Sequence, residues 1–238
     1  MFKIDRNEKN PNSISVDTGL TCNLACVICG PDASSLWQDK LKKYSTRKNN
    51  LHEIDQLDFS NATNITVGGG EPVLNKSTIP ILKKIVRSNI PHVPINIHFN
   101  CTAKPSAEFL EACRQIKRLD FTMSLDDTEQ RFEFLRWPAK WDKAVENIRW
   151  MVANVPEHIT FSTNTVITRL NEHTYHTVET WVRENIPEPR INWIGTNEAF
   201  GRLSRVENLN GIAQWLDMLD SSRKTDWRAT FPLAHNIT

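Results

Sequence analysis

Cys22-Asn23-Leu24-Ala25-Cys26-Val27-Ile28-Cys29 places three thiols within one short stretch of the chain. Three thiolates on one loop can converge on a single soft metal centre. Zinc takes four protein ligands in structural sites and three plus a water in catalytic ones. An iron–sulfur cubane needs a ligand on each iron, so three cysteines would leave one iron open to a small molecule. A second group lies about forty residues further on, in Gly68-Gly69-Gly70-Glu71-Pro72. Glycines let backbone approach a ligand without side-chain obstruction, although such a run can also be only a tight turn. Glu71 can accept hydrogen bonds from an ammonium group. Ser124 and Asp126 share one side of an extended segment by their spacing and could meet a polar ligand. They could equally be packing or capping groups. Arg131 and Arg136 each offer a bidentate partner for a carboxylate, or a plain surface charge.

The hydropathy pattern indicates the frame that would hold these groups. Apolar runs at Ile14–Asp17, Asn64–Val67, Ile95–Asn100, Leu119–Ser124, Ile159–Thr165 and Arg190–Ile194 read as six strands. Between and after them run helical stripes: Leu36, Trp37, Leu41 and Tyr44; then Ile79, Leu82, Ile85 and Val86; then Phe109, Cys113 and Ile116. Trp141, Val145, Ile148 and Val152 follow, then Tyr175, Val178 and Val182 with Asn171 as cap, then Ile212, Trp215, Leu216 and Leu219. Strands alternating with helices predict an α/β fold: a partial (β/α)6 TIM-like barrel, with parallel strands and outer helices. Chemistry in such folds gathers at the C-terminal ends of the strands. The cysteines follow the first strand and the glycine run the second, so both fall at that end.

The C-x3-C-x2-C spacing resembles the motif of the radical S-adenosylmethionine superfamily, and Gly69-Gly70-Glu71-Pro72 is similar to its G-G-E-P element. The resemblance spans roughly Ser13 to Gly195. It implies that Cys22, Cys26 and Cys29 ligate a 4Fe-4S cluster whose open iron chelates S-adenosyl-L-methionine. Reductive cleavage to a 5′-deoxyadenosyl radical and hydrogen abstraction from a substrate would follow, with a flavodoxin-like or reductase electron donor as partner. By the same resemblance Ile28 lies against the adenine, and Gly69, Gly70 and Glu71 hold the amino end of the methionine moiety.

Gln130–Trp141 looks like the segment after the fourth strand in twitch-domain relatives, where an arginine pairs with the methionine carboxylate. Arg136 fits that position better than Arg131. Asn164-Thr165-Val166 is similar to the N-x-V element of peptide-modifying members, which would bring Asn164, with Ser124 and Asp126, to the cofactor. His98-Phe99-Asn100-Cys101-Thr102 parallels an N-T-N-G-T segment, with Cys101 in place of the glycine and His98 in place of an asparagine. Twitch and SPASM extensions carry further cysteines for an auxiliary cluster. No cysteine follows Cys113, so a single cluster is expected.

With 238 residues, 39% of them hydrophobic and 24% charged, the chain can build a core without staples. Residues 1–12 read as a polar extension, 13–195 as the barrel, and 196–238 as a C-terminal helix-containing segment packing on it. A net charge of +1 gives no reason to expect nucleic acid or an anionic membrane as partner. No apolar run approaches the ~20 residues that span a bilayer, and the clustered cysteines suit a reducing compartment, so a cytoplasmic location is expected. The resemblance leaves the substrate open: a peptide or protein, or a nucleotide or small metabolite. The rival from another class is a zinc-stabilised binding module without catalysis. Cys113 and Cys101 read as buried inert thiols, and Trp141 as core.

Overall fold

The computed structural model describes residues 13–44, 51–195, 217, 220–221 and 226–231. Its strands are β1 (Ser13–Asp17), β2 (Asn64–Gly68), β3 (Ile95–Phe99), β4 (Leu119–Ser124), β5 (Thr160–Ile167) and β6 (Arg190–Gly195). All neighbours are parallel and the sheet order follows the chain, with β1 and β6 at the edges. This is the partial (β/α)6 barrel predicted by the alternation. The helices are α1 (Ser35–Leu41), α2 (Thr78–Arg87), α3 (Ala107–Arg114), α4 (Glu129–Leu135), α5 (Trp141–Asn154), α6 (His176–Asn185) and the short α7 (Trp227–Thr230). A 3-10 turn at Leu51–Gln56 precedes β2.

Strands β1 to β4 are apolar on one side only. Val16, Ile65, Val67, Ile97, Phe99, Phe121, Met123 and Phe161 are buried in one core with Leu82, Ile85, Phe109, Cys113, Ile148, Met151 and Val178 of the helices. Phe121 meets Phe99, Phe109 and Phe161 at ring separations of 6.0–6.3 Å. The opposite face is polar. Register aligns Asn96, Asp120 and Thr160 in one row, His98, Thr122 and Ser162 in the next, and Ser124, Asn164 and Asn192 beyond them. A closed TIM barrel fills its interior with branched aliphatic side chains. Here hydroxyls and amides line the face turned away from the helices, so the strands alternate where parallel strands usually read as continuous apolar runs.

At the N-terminal end of this polar face Asp120 ties three strands together. It accepts from Thr122 Oγ1 (3.1 Å), Thr160 Oγ1 (2.8 Å), Arg190 Nη2 (2.9 Å) and Ser162 Oγ. The floor of the trough is therefore closed by hydrogen bonds, and its C-terminal end is left for chemistry.

Several local expectations need correction. Tyr44 is not on the buried face of α1: the helix stops at Leu41, Lys42 turns left-handed (φ 49°), and Tyr44 is 62% exposed. Asn171 does not cap α6, which begins at His176; its side chain bridges strand ends instead, as described below. The buried face of α5 is Ala144, Asn147, Ile148 and Met151, rotated from the predicted Val145 and Val152, which are half-buried. Buried Asn147 explains the shift: its Nδ2 donates to the Cys101 carbonyl at 3.0 Å, a partner no hydropathy pattern reveals. The stripe at Ile212, Trp215, Leu216 and Leu219 lies outside the described residues. Of the C-terminal part, Phe231 packs its ring against Phe134 of α4 at 5.4 Å. No helix among the described residues is long and apolar enough to cross a membrane.

Candidate cofactor site at the strand C-termini

The cysteine loop follows β1 and is clamped by backbone on both flanks. Ala25 N donates to Trp137 O (2.7 Å) and Val27 N to Leu135 O (2.8 Å), which locks the loop against the segment after α4. Ser35 Oγ, at the start of α1, accepts from Cys22 N and donates to Cys22 O, both at 3.1 Å. Ser34, the N-cap of α1, donates to Leu24 O. Trp37 Nε1 donates to Cys26 O at 2.8 Å. The three thiols are thus carried on rigid backbone, and none is in a disulfide. Burial pushes Cys22 up to about 11. Cys26 is also held protonated, its thiol donating to Cys29, which is lowered in turn. Metal binding to such thiols must release protons. Among the described residues no three or more possible ligands already stand together at cation-binding separations.

The glycine run after β2 meets this loop backbone to backbone. Gly70 N donates to Gly19 O (2.6 Å) and Glu71 N to Thr21 O (2.8 Å). Asn75 Nδ2 fastens both loops, donating to Thr21 O (3.0 Å) and Glu71 O (2.8 Å). Gly69 has a φ of +127°. A Cβ on Gly70 would lie 2.4 Å from Thr21 O, and one on Gly69 2.8 Å from Gly19 O. These two glycines are therefore needed for contact between loops of the chain itself, whereas a Cβ on Gly68 or Gly30 would meet nothing within 4 Å. Gly70→Ala is expected to cost at least about 3 kcal/mol, because backbone rather than a mobile side chain must give way. Denaturant unfolding measures this; a loss under about 1 kcal/mol would contradict the packing.

Glu71 is 1% exposed and both its oxygens are engaged, Oε1 by Val73 N (3.1 Å) and Oε2 by Asn100 N (2.8 Å). Burial pushes its pKa up to about 7, against the pull of those two N–H groups and of Arg136. From about pH 4.5 to 7 the folded chain keeps a proton on Glu71 that the unfolded chain has released. Stability must fall as pH rises through that window, by about 3 kcal/mol in all for this group. Urea unfolding of the metal-free protein at several pH values should show the decline. Glu71→Gln should flatten it, and a profile that the substitution leaves unchanged speaks against the assignment.

Arg136 and Asp126 complete the wall. Arg136 follows α4 on the segment that clamps the cysteine loop, and its Nη2 stands 2.9 Å from Asp126 Oδ2. The side chains are only 8% and 2% exposed. The pair stands at ion-pair distance, and Arg136 Nε and Asp126 Oδ2 lack hydrogen-bond partners among the described residues. Burial opposes the guanidinium charge, but Asp126, Cys26 and Cys29 outweigh it and hold Arg136 firmly protonated. Arg131 goes elsewhere: its Nε donates to Asp127 Oδ1 at 2.9 Å, in a knot that also takes Thr174 Oγ1. Asp126 Oδ1 accepts from Val166 N (3.0 Å), and Asn171 Nδ2 donates to both Asp126 O (2.6 Å) and Val166 O (3.0 Å). Ser124 and Asn164 face each other as register partners on β4 and β5, both half-buried. Ile28 is half-buried at the seam of two apolar clusters.

The sequence profile of the Radical SAM superfamily matches residues 16–182. The chain belongs to that superfamily. A comparison with curated proteins returns no match. Solved structures with a similar fold include Streptococcus suis SuiB bound to S-adenosylmethionine, at 14% identity and TM-score 0.61, covering 90% of this chain and 49% of that one. SuiB bound to the precursor peptide SuiA superposes with TM-score 0.60 at 14% identity, over 91% and 48% of the two chains. Histidine-tagged anSMEcpe with bound AdoMet gives 0.56 at 14% identity, over 89% and 59%. The chain thus spans about half the length of SuiB and under two thirds of anSMEcpe.

Within this radical SAM barrel, sequence reasoning undervalues the loop after β3. Asn100 contacts Glu71, Asn23, Thr102 and Cys22 at once. Its only sequence signal is its place in the N-T-N-G-T-like segment, obscured by Cys101. That cysteine adopts φ +66°, the left-handed conformation a glycine takes freely. Asn23 carries no signal at all: between two cysteines, nothing distinguishes it from a solvated linker residue.

Proposed function

We propose that this protein is a radical S-adenosylmethionine enzyme. The observation that carries the proposal is three thiols outside any disulfide on one clamped loop, two of them, Cys26 and Cys29, acted on by a buried guanidinium with an unsatisfied N–H. That donor set fits an iron–sulfur cluster: three soft sulfur ligands, a wall of apolar residues and a fixed positive charge against the thiolates. Cys22, Cys26 and Cys29 would hold the 4Fe-4S cluster. Bound together, cluster and S-adenosyl-L-methionine supply reductive cleavage of a sulfur–carbon bond and a 5′-deoxyadenosyl radical for hydrogen abstraction.

The chain's own part is binding and orientation. Arg136 offers its Nε N–H to a carboxylate; the Gly69–Glu71 segment borders the amino end; Ile28 offers an apolar surface to the adenine. Ser124, Asp126 and Asn164 supply polar contacts at the mouth of the trough. For the substrate we favour a peptide, as SuiB shares this fold and is seen with a precursor peptide. The resemblance is to twitch- and SPASM-type members. A flavodoxin-like or reductase donor would supply the electron. The cytoplasm suits five free cysteines.

Anaerobic reconstitution with iron and sulfide tests the proposal. The expected result is a broad absorbance near ~400 nm, and 5′-deoxyadenosine formed from S-adenosylmethionine under dithionite. Stoichiometric zinc with no colour would overturn it in favour of a binding module.

A further inference from the structure

We propose that Asn100 is a hydrogen-bond donor to the cluster-bound Cys22 sulfur and holds the cluster's reduction potential up. The inference rests on the cluster assignment above. Asn100 follows β3 and is 6% exposed. Its amide cannot be turned over. Thr102 N, which can only donate, lies 3.0 Å from Asn100 Oδ1, and Thr102 Oγ1 donates to the same oxygen at 2.7 Å. The Nδ2 group therefore points the other way. One of its hydrogens serves Asn23 Oδ1 at 3.0 Å; the other is directed at Cys22 Sγ, 4.0 Å away. Asn23 is itself fixed by donating Nδ2 to Thr102 Oγ1 at 2.9 Å. The backbone is fixed too, since Asn100 N donates to Glu71 Oε2.

This arrangement gives the three thiolates different compensating groups. The Arg136 charge acts on Cys26 and Cys29. Cys22 lies outside that pairing, and the Asn100 amide is turned toward its sulfur beside the Leu24 N–H and the Ser34 hydroxyl. Hydrogen bonds to cluster sulfurs stabilise the reduced, more negative state and raise the potential. Asn100 is thus a positioning and tuning residue. It has no role in bond cleavage, and Thr102 and Asn23 act by aiming it.

The test uses the reconstituted protein and reads the cluster midpoint by potentiometric titration followed by electron paramagnetic resonance. Asn100→Asp keeps the acceptor for Thr102 but replaces the donor by a charged oxygen beside the sulfur. Its reduced fraction at a fixed potential should fall about tenfold or more, a shift of about 59 mV for one electron. Thr102→Val, which only loosens the amide, should shift the midpoint the same way by less. In the wild type, transfer to D2O should move the Fe–S stretching bands in resonance Raman spectra, and Asn100→Leu should make that movement smaller. Wild-type iron content with an unchanged midpoint in both variants overturns the inference alone. So does loss of iron from Asn100→Asp together with an unshifted Thr102→Val, which makes the residue merely structural. A wild type that takes up no iron overturns the functional proposal, and this inference with it.

Discussion

Alanine at position 26 is expected to abolish 5′-deoxyadenosine formation and to strip the ~400 nm absorbance from the reconstituted protein. Cys26 is the most deeply buried of the three clustered thiols, and its carbonyl is pinned by Trp37. Removing its sulfur leaves two ligands, too few to keep a cubane on the loop. The fold should survive, because the loop is held by backbone bonds from Ala25 and Val27 and by Ser34 and Ser35, none of which involves the Cys26 side chain. A small buried side chain truncated in this way costs about 1 kcal/mol. Circular dichroism and the unfolding midpoint should therefore stay near wild type while iron analysis falls to background. Full iron content in Cys26→Ala would remove this cysteine from the ligand set.

Arg136→Met should produce the largest loss of stability among single side-chain changes at the site. Breaking a buried ion pair by deleting one partner costs about 3–5 kcal/mol, since the other charge is left uncompensated. Asp126 would then stand at 2% side-chain exposure with Oδ2 facing no cation. For a chain of this size that amounts to a melting temperature lower by on the order of 10 °C. The double variant Asp126→Asn, Arg136→Met should recover much of the loss, because it removes the stranded charge as well. If the double variant is no more stable than the single one, Arg136 acts by packing and the electrostatic explanation fails.

The cysteine spacing and the glycine run are legible in the sequence because they are local: the residues that act together lie within a few positions of one another. The strand positions are legible for a related reason. Alternation such as Asp120-Phe121-Thr122-Met123-Ser124 names a buried face and a polar face without reference to any partner. Asn171 and Asn147 show where such reasoning stops. Each is a buried asparagine with one partner 45 or 46 residues away, which a short window cannot see. The carboxylates that hold the two arginines, Asp127 for Arg131 and Asp126 for Arg136, are likewise visible only in the structure.

By itself the chain order determined the fold class, the end of the barrel where chemistry gathers, and the placement of three thiols on one loop, since these follow from periodicity and short spacing. Only the tertiary structure decided what each polar group is for. It set Gly69 and Gly70 in a seam between two loops, engaged both oxygens of Glu71 with backbone, and aimed Asn100 at Cys22. The physical reason is that hydrogen bonds and buried charges are satisfied by whatever lies within about 3 Å in space, and chain separation carries no information about that distance.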